Sequence, residues 1–462
     1  EDIGDELYEI IDIEPGNTFN KQYCIALDIG TTTVCGELID IYSNKVIASA
    51  ATYNKQIECC GDDVITRIIF AKKQGGKKKL QEAVVYSINK VIKDIIAGSG
   101  VSKKDILFIT SAGNTTMTHL LLKIEPRYIR EAPYIPATRS FPSVSAQELG
   151  IKGMNKAKLR SFPAVSSYVG GDVVAGVLAT GMYKRDREAL LIDIGTNGEI
   201  VFGNREWLIC AACSMGPAFE GWGIIHGMRA DTGAIEGVKI NPYTLEPIII
   251  TINKGRPRGI CGSGLISLLA ELVYASVIDK QGKFIEDVKS DRIRKTENGY
   301  EYILVKSEYT DIFTDIVITE ADIENLIRAK AALFAGSLTL VESVGLSLSN
   351  IDHIFIAGAF GRFLNLEKAK IIGLLPDMPI DKFSFVGNSS LGGARVASLS
   401  KSLFKKSEEI ALKMTNIELS ENQLFMNNYM AALFLPHTNS NLFPDVNRKI
   451  AETEAMIRNK QG

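Results

Sequence analysis

Ala26–Asp40 reads ALDIGTTTVCGELID, and Leu190–Asn204 reads LLIDIGTNGEIVFGN. Each copy is an apolar run ending on an aspartate, an Ile-Gly-Thr step, and a second apolar run. Short apolar runs on either side of a glycine turn predict two buried strands joined as a hairpin. The segments immediately after the two copies are also alike. VIASAATYN after the first, and LICAACS after the second, each offer a third strand. Helical patterns cover about 62–73 and 79–97, with Asp62 or Asp63 as the first cap. DILFITSAGNTTMTHLLLKI then predicts a strand, a Gly-Asn turn and a helix opening at Thr115-Thr116. The spacing from Asp28 to Asp193 is too long for a solenoid repeat, whose period is roughly 20–50 residues. The chain therefore reads as an α/β protein of two like lobes.

The turn itself suggests a chemistry. Gly30 lets main-chain amides come close to a ligand, and Thr31, Thr32 and Thr33 add hydroxyl donors. Successive amides at such a bend form an anion-binding concavity. Asp28 beside them suits a hydrated Mg²⁺, a hard cation that usually keeps waters and takes one or two carboxylates. The second copy supplies Asp193, Gly195, Thr196, Asn197, Gly198 and Glu199 for the same purpose. The expectation is a polyphosphate gripped from both sides in a cleft between the lobes, with Asp28 and Asp193 at the metal. Asp172, in the Gly-Gly-Asp that opens a helix before the second hairpin, is a third candidate, for water, for metal or as a helix cap. Gly358 and Gly361 in IAGAFGRF, with Asn388, Ser389 and Gly392 in GNSSLGGA, offer turns for a nucleoside. Gly262, Ser263 and Gly264 open a helix whose N-terminus favours anions. Neither a Walker A pattern nor G-x-G-x-x-G is present.

Residues 1–22 are acidic and rich in turn formers and read as a linker. The first lobe is expected over 23–165, ending in a proline-rich irregular connection from 125. The second is expected over 166–462, with a polar, β-rich insertion at about 280–318 and a tail after 420 that packs back on the body. Thr319-Glu320 marks a helix start. The 462 residues carry 52 Lys plus Arg against 54 Asp plus Glu, which gives no electrostatic case for nucleic acid or an anionic membrane as partner. No apolar stretch reaches the length of a membrane span and no secretory signal opens the chain. Seven irregularly placed cysteines predict reduced thiols in a cytoplasmic protein.

These features together resemble the acetate and sugar kinase, heat-shock chaperone and actin superfamily, whose mark is two phosphate hairpins and a later glycine-rich adenosine turn. Within it the chain is similar to the ATP-dependent reductive activators of corrinoid proteins. The stretches that carry this likeness include YCIALDIGTTTV, SAGNTTMTHLLL, YVGGDVVAGVLATGM, ACSMGPAFEGWGIIHGMRADTGAI, ICGSGLISLLAEL, AGAFGRFLN, GNSSLGGA and ALFLPHT, spread over 23–437. The resemblance implies duplicated actin- and hexokinase-like (ribonuclease H-like) lobes, ATP and Mg²⁺ as ligands, and a corrinoid protein as partner, returned from Co(II) to Co(I) during methyl transfer. It also implies a homodimer, and an iron–sulfur domain that delivers the electron. No four-cysteine ferredoxin spacing occurs, and the chain lacks an initiator Met, so it is expected to be part of a longer protein without that domain.

Cys210 and Cys213 resemble a redox pair, but two thiols cannot complete a four-thiolate cluster, and the strand they follow favours packing. The four histidines are scattered and read as structural. Glu220 and Arg229 in the glycine-rich stretch leave two readings open, a nucleotide-sensing or partner loop and a turn-rich core connection. Two other activities also stay open: a small-molecule kinase of the same superfamily, and an actin-like or chaperone-type binding module.

Overall fold

The computed structural model describes residues 2–461 apart from 5–6, 9–12, 14–15, 19–20, 62, 196 and 359–363. The chain divides into two compact units. The first comprises 1–187, 203–210 and 388–417, and the second 188–202, 211–387 and 418–462. The sequence division at 165/166 assigns 388–417 to the second lobe, whereas here those residues belong to the first unit.

The first unit is built on the hairpin β1 (Tyr23–Ile29) and β2 (Thr33–Asp40), paired antiparallel with Asp28 opposite Cys35. β3 (Lys45–Tyr53) continues the meander. After a single helical turn at Ile57–Cys60 comes helix α1 (Val64–Ala71), capped by Asp63, whose carboxylate accepts from the Thr66 amide. Asp62, the alternative cap, lies outside the described residues. Then come α2 (Gly76–Ile96), β4 (Ile106–Gly113) and α3 (Thr115–Leu121), the last capped by Asn114. The proline-rich connection contains two short strands, β5 (Val144–Ser145) and β6 (Lys158–Ser161), which the sequence did not suggest. Helix α4 (Gly171–Thr180) completes this part. The sheet order is β3-β2-β1-β4-β6-β5, with β1, β4 and β6 parallel. One face buries Ile25, Leu27, Val34 and Leu38 against Leu80, Val84, Ile88, Val91 and Ile95 of α2. Gly36 lets that helix lie close, since a Cβ there would sit 2.8 Å from Val91 and 2.9 Å from Leu27.

The chain then repeats the opening, largely in the second unit, with 203–210 counted in the first. β7 (Ala189–Ile194), β8 (Gly198–Gly203) and β9 (Leu208–Cys213) succeed one another as hairpin and third strand. After them come β10 (Ala234–Ile240), β11 (Pro247–Thr251) and β12 (Gly259–Ile260), then α5 (Gly262–Tyr274), then the three-stranded sheet β13 (Ile293–Thr296), β14 (Gly299–Val305) and β15 (Ile316–Thr319). Of these elements the last three strands, β13 to β15, fall on the stretch of about 280–318 read from the sequence as a β-rich insertion. Helix α6 (Glu320–Ser343) opens with a capping box between Thr319 and Asp322. β16 (His353–Ala357), α7 (Leu366–Ile371) and β17 (Phe383–Gly387) close the sheet order β17-β16-β7-β8-β9.

The chain then returns to the first unit with α8 (Ser389–Ser398), α9 (Lys401–Lys413) and β18 (Met414–Asn416), the last parallel to Leu208–Cys210. α8 lies on the sheet face of β1 and β4 opposite α2, and it crosses α4 closely. Gly393 permits that crossing, because a Cβ would fall 2.5 Å from the Ala175 carbonyl carbon. Two final helices, α10 (Gln423–Ala432) and α11 (Pro444–Gln461), belong to the second unit, where α10 packs along α6. No helix among the described residues is long and apolar enough to cross a membrane.

Candidate functional site

Parallel strands that end together leave their turns at one edge of a sheet, where α/β proteins collect ligands. In the first unit β1 ends at Ile29 beside Gly113 of β4, so the Gly30 turn and the Asn114 cap of α3 share that edge. Gly170, the N-cap of α4, is pressed against Asn114, which brings the Asp172 end of α4 to the same place. Asp172 is therefore a first-turn residue and not the cap; its carboxylate accepts from the Val173 amide at 2.9 Å.

The turn is held from behind. Gly30 donates to the Thr33 carbonyl at 3.0 Å. The Gly30 carbonyl accepts from Asn54 Nδ2 at 2.9 Å, the Thr32 carbonyl from the Asn54 amide at 2.8 Å, and the Thr31 carbonyl from Arg67 Nη2 at 2.6 Å. The amides of Thr31 and Thr32 have no acceptor among the described residues. A turn with occupied carbonyls and open amides is suited to an anion.

Asp28 stands at the foot of this turn. Asn388 Nδ2 donates to its Oδ2 at 2.7 Å and Ser390 Oγ to its Oδ1 at 2.8 Å. Its burial raises the carboxyl pKa above the usual carboxylate range, against the lowering effect of these two donors. Both donors are neutral, so a cation nearby would favour the ionised form. That donor set fits a hydrated Mg²⁺ held through one carboxylate. Among the described residues no three His, Cys, Asp or Glu side chains gather as a metal cluster. Asn388 also caps α8 through the Leu391 amide at 2.8 Å. Ser389 is buried at the start of that helix, and Gly392 is partly exposed with Ala179 Cβ as its nearest neighbour. The GNSSLGGA turn thus serves the first hairpin's aspartate.

In the second unit Asp193, next to last in β7, pairs with Ala357 of β16. Gly358 comes next with φ +98°, and a Cβ there would lie 3.1 Å from Asp193 Oδ1 and closer still to the Ile194 carbonyl. Glycine at this position lets the start of the IAGAFGRF turn rest directly on the second hairpin. Gly195 donates to the Asn197 carbonyl at 3.1 Å, and Asn197 is exposed. Glu199 is half-buried. Gly198 faces inward, where a Cβ would meet Cys213, Met215 and Leu333 at 2.6–2.7 Å. Thr196 and Gly361 lie outside the described residues. Gly262, Ser263 and Gly264 are buried at the start of α5, with Gly264 packed on the Ile235 backbone of β10.

Cys210 and Cys213 are three apart on strand β9 and so point to opposite faces. Cys210 lies against the Thr415 carbonyl, and Cys213 donates to the Gly198 carbonyl at 3.2 Å. Burial pushes the Cys210 thiol up to about 12 and that of Cys213 higher. All seven cysteines are free thiols. Glu220 ends a short 3₁₀ turn, and the loop after it carries an exposed Trp222 and Ile225.

Sequence reasoning did not single out Arg67, Asn54 or Ser390. Arg67 and Asn54 are remote from the turn in sequence; the only hint was a charged residue inside the apolar pattern of α1.

A duplicated hairpin, each copy with an aspartate next to last in its first buried strand, defines the class: a nucleotide-binding domain of the kinase, chaperone and actin type. Comparison with known proteins narrows it. Residues 23–185 match the family described as the RACo middle region, and 187–447 match the C-terminal domain of RACo, the ASKHA domain. The chain belongs to this family of reductive activators of corrinoid proteins. It is 34% identical over 431 residues to the corrinoid activation enzyme RamQ of Eubacterium limosum, covering 91% of this chain and 72% of that protein. It is 26% identical to a Methanosarcina barkeri reductase of the Co(II) methylated amine-specific corrinoid protein, over 89% and 76% of the two chains. A solved structure of a reductive activator for a corrinoid, iron–sulfur protein shares 50% identity and a TM-score of 0.84, over 94% of this chain and 69% of that one.

Proposed function

We propose that this chain uses ATP to promote reduction of a corrinoid protein's cobalt from Co(II) to Co(I). Family membership supports the corrinoid partner. The observation that carries the nucleotide half is the Gly30–Thr33 turn, with its carbonyls tied back and its Thr31 and Thr32 amides open. We assign the phosphates to Thr31–Thr33 and to Gly195–Glu199, and the metal to Asp28 and Asp193. Mg²⁺, when bound, neutralises phosphate charge. The protein's share of the chemistry is then positioning and charge stabilisation, as in other phosphoryl transfers. Water's oxygen joins the γ-phosphorus, the bond to the bridging oxygen breaks, and ADP and phosphate leave. The cobalt gains one electron from a low-potential donor. The thiols of this chain are poor candidates for that donor, being single and mostly buried. We assign the electron to an iron–sulfur carrier outside them, and we place the protein in the cytoplasm, where such thiols stay reduced. Coupling requires that ATP bind one conformation of the protein more tightly than another.

The test is ATP hydrolysis with and without a corrinoid protein, with cobalt state followed by absorbance in the presence of a low-potential chemical reductant. Wild-type turnover should rise with the corrinoid protein, and Asp193→Asn should lose the stimulated rate. Equal turnover in the variant would remove Asp193 from the metal site. A phosphorylated metabolite as product would favour the kinase reading.

A further inference from the structure

The support behind the first hairpin has a chemistry of its own. Arg67 is fully buried on α1. Its Nη2 donates to the Thr31 carbonyl at 2.6 Å, its Nη1 to Gln56 Oε1 at 2.9 Å, and its Nε and Nη2 to the Gly61 carbonyl at 3.2 Å. The Met117 sulfur lies 3.3 Å from Nη1. Asn54, also fully buried, holds the two neighbouring carbonyls, Gly30 with its side chain and Thr32 with its amide. Three consecutive carbonyls of one turn are therefore drawn toward the interior.

A trans peptide holds its C=O and the following N–H antiparallel in one plane. Fixing the Gly30, Thr31 and Thr32 carbonyls therefore turns the amides of Thr31, Thr32 and Thr33 the other way. The guanidinium cannot lose its proton, and a charged donor on the Thr31 carbonyl polarises that peptide, which strengthens the Thr32 N–H as a donor. A structural role alone requires only that Arg67 be hydrogen-bonded; reaching the turn's own carbonyl gives it a second consequence.

We propose that Arg67, assisted by Asn54, is a positioning residue that presets the first hairpin for a polyphosphate. This rests on the nucleotide reading above. It predicts an effect confined to the phosphate part of the ligand. Arg67→Gln should weaken ATP and ADP binding about 10- to 100-fold, the scale of one hydrogen bond to a charged group, and leave adenosine binding within about twofold. Arg67→Lys keeps the charge but not the fork and should fall between wild type and Arg67→Gln.

The measurement is titration calorimetry of ATP, ADP and adenosine on the full chain, with circular dichroism on the same samples. ATP affinity unchanged in Arg67→Gln, or ATP and adenosine affinity lost in equal proportion, overturns the proposal. Should Arg67→Gln not fold, Asn54→Ala decides. It removes the bond to the Gly30 carbonyl and keeps the backbone bond to Thr32. A selective loss of ATP over adenosine supports the proposal; unaltered selectivity defeats it. Wild-type protein that binds no ATP defeats the parent reading before any variant is compared.

Discussion

Ser390→Ala isolates the hydrogen bond that orients the first hairpin's aspartate. Ser390 is buried, and its hydroxyl donates to Asp28 Oδ1 at 2.8 Å. Alanine removes the donor and leaves a partly desolvated carboxylate oxygen without it. Hydrogen bonds to charged groups contribute about 1.5–3 kcal/mol, so the local opening free energy should fall by about that amount. In an Asp28→Asn background the acceptor is neutral, and the same change should cost about 0.5–1.5 kcal/mol. The difference, about 1 kcal/mol or more, is the coupling energy of the cycle. Asn388→Ala should cost about as much as Ser390→Ala for a different reason. Asn388 is exposed, so water competes for its bond to Asp28, but it also caps α8, worth about 1 kcal/mol. The assay is amide hydrogen exchange on peptides spanning Tyr23–Asp40 and Asn388–Ser398, which reads local opening without requiring both units to unfold together. A Ser390→Ala effect below about 0.5 kcal/mol, or the same effect in both backgrounds, would refute the link between α8 and the hairpin.

Asp28 should make the nucleotide-free protein less stable as pH rises. Its folded-state pKa is raised, so the folded chain holds the proton longer than the unfolded one, and stability is lost from the usual carboxylate range up to the raised value. Thermal midpoints of wild type and Asp28→Asn should therefore diverge across that window, with the variant the more stable at the alkaline end; parallel curves would contradict this. Gly393→Ala should open the α4–α8 crossing at a cost of about 1–3 kcal/mol and weaken ATP binding with it. Gly392→Ala is the control, because its Cβ would sit 3.6 Å from Ala179, an ordinary contact; equal midpoints for the two variants would count against the packing account. With an aromatic disulfide reagent at pH 8, Cys210 and Cys213 should react only after unfolding, and the partly exposed Cys59 and Cys60 before it. Rapid native labelling of Cys213 would reopen its redox role.

What the sequence disclosed was local. The two hairpins, the Asp63 and Thr319 helix starts and the β-rich region all rest on residues a few positions apart. Short-range signals of that kind survive without knowledge of the fold. Glycines were harder. Gly198 and Gly264 read as places for a ligand to approach, yet each has a packing neighbour that a Cβ would strike. A glycine reports that something comes close, and sequence does not say whether it is substrate or backbone. The most consequential contacts, Arg67 to Thr31 and Asn388 and Ser390 to Asp28, join residues far apart in the chain. No periodicity or cap encodes them. The same holds for β6, four residues hidden among prolines, which becomes a strand because β4 offers it a parallel edge.

The two copies of Asp-Ile-Gly-Thr are alike in letters and different in support. In the first, Gly30 bonds across to Thr33, and polar groups take the turn's carbonyls. In the second, Gly195 bonds to Asn197, one residue sooner, and the neighbours below are Cys213, Met215 and Leu333 beneath Gly198. The described neighbours of the two aspartates also differ in kind. Asp28 is oriented by two donors from α8, and the carboxylate of Asp193 lies beside Gly358. Duplication therefore supplied two turns of one spelling that close through different hydrogen bonds, Gly30 to Thr33 in one and Gly195 to Asn197 in the other, so the shared letters do not by themselves fix the geometry each turn offers.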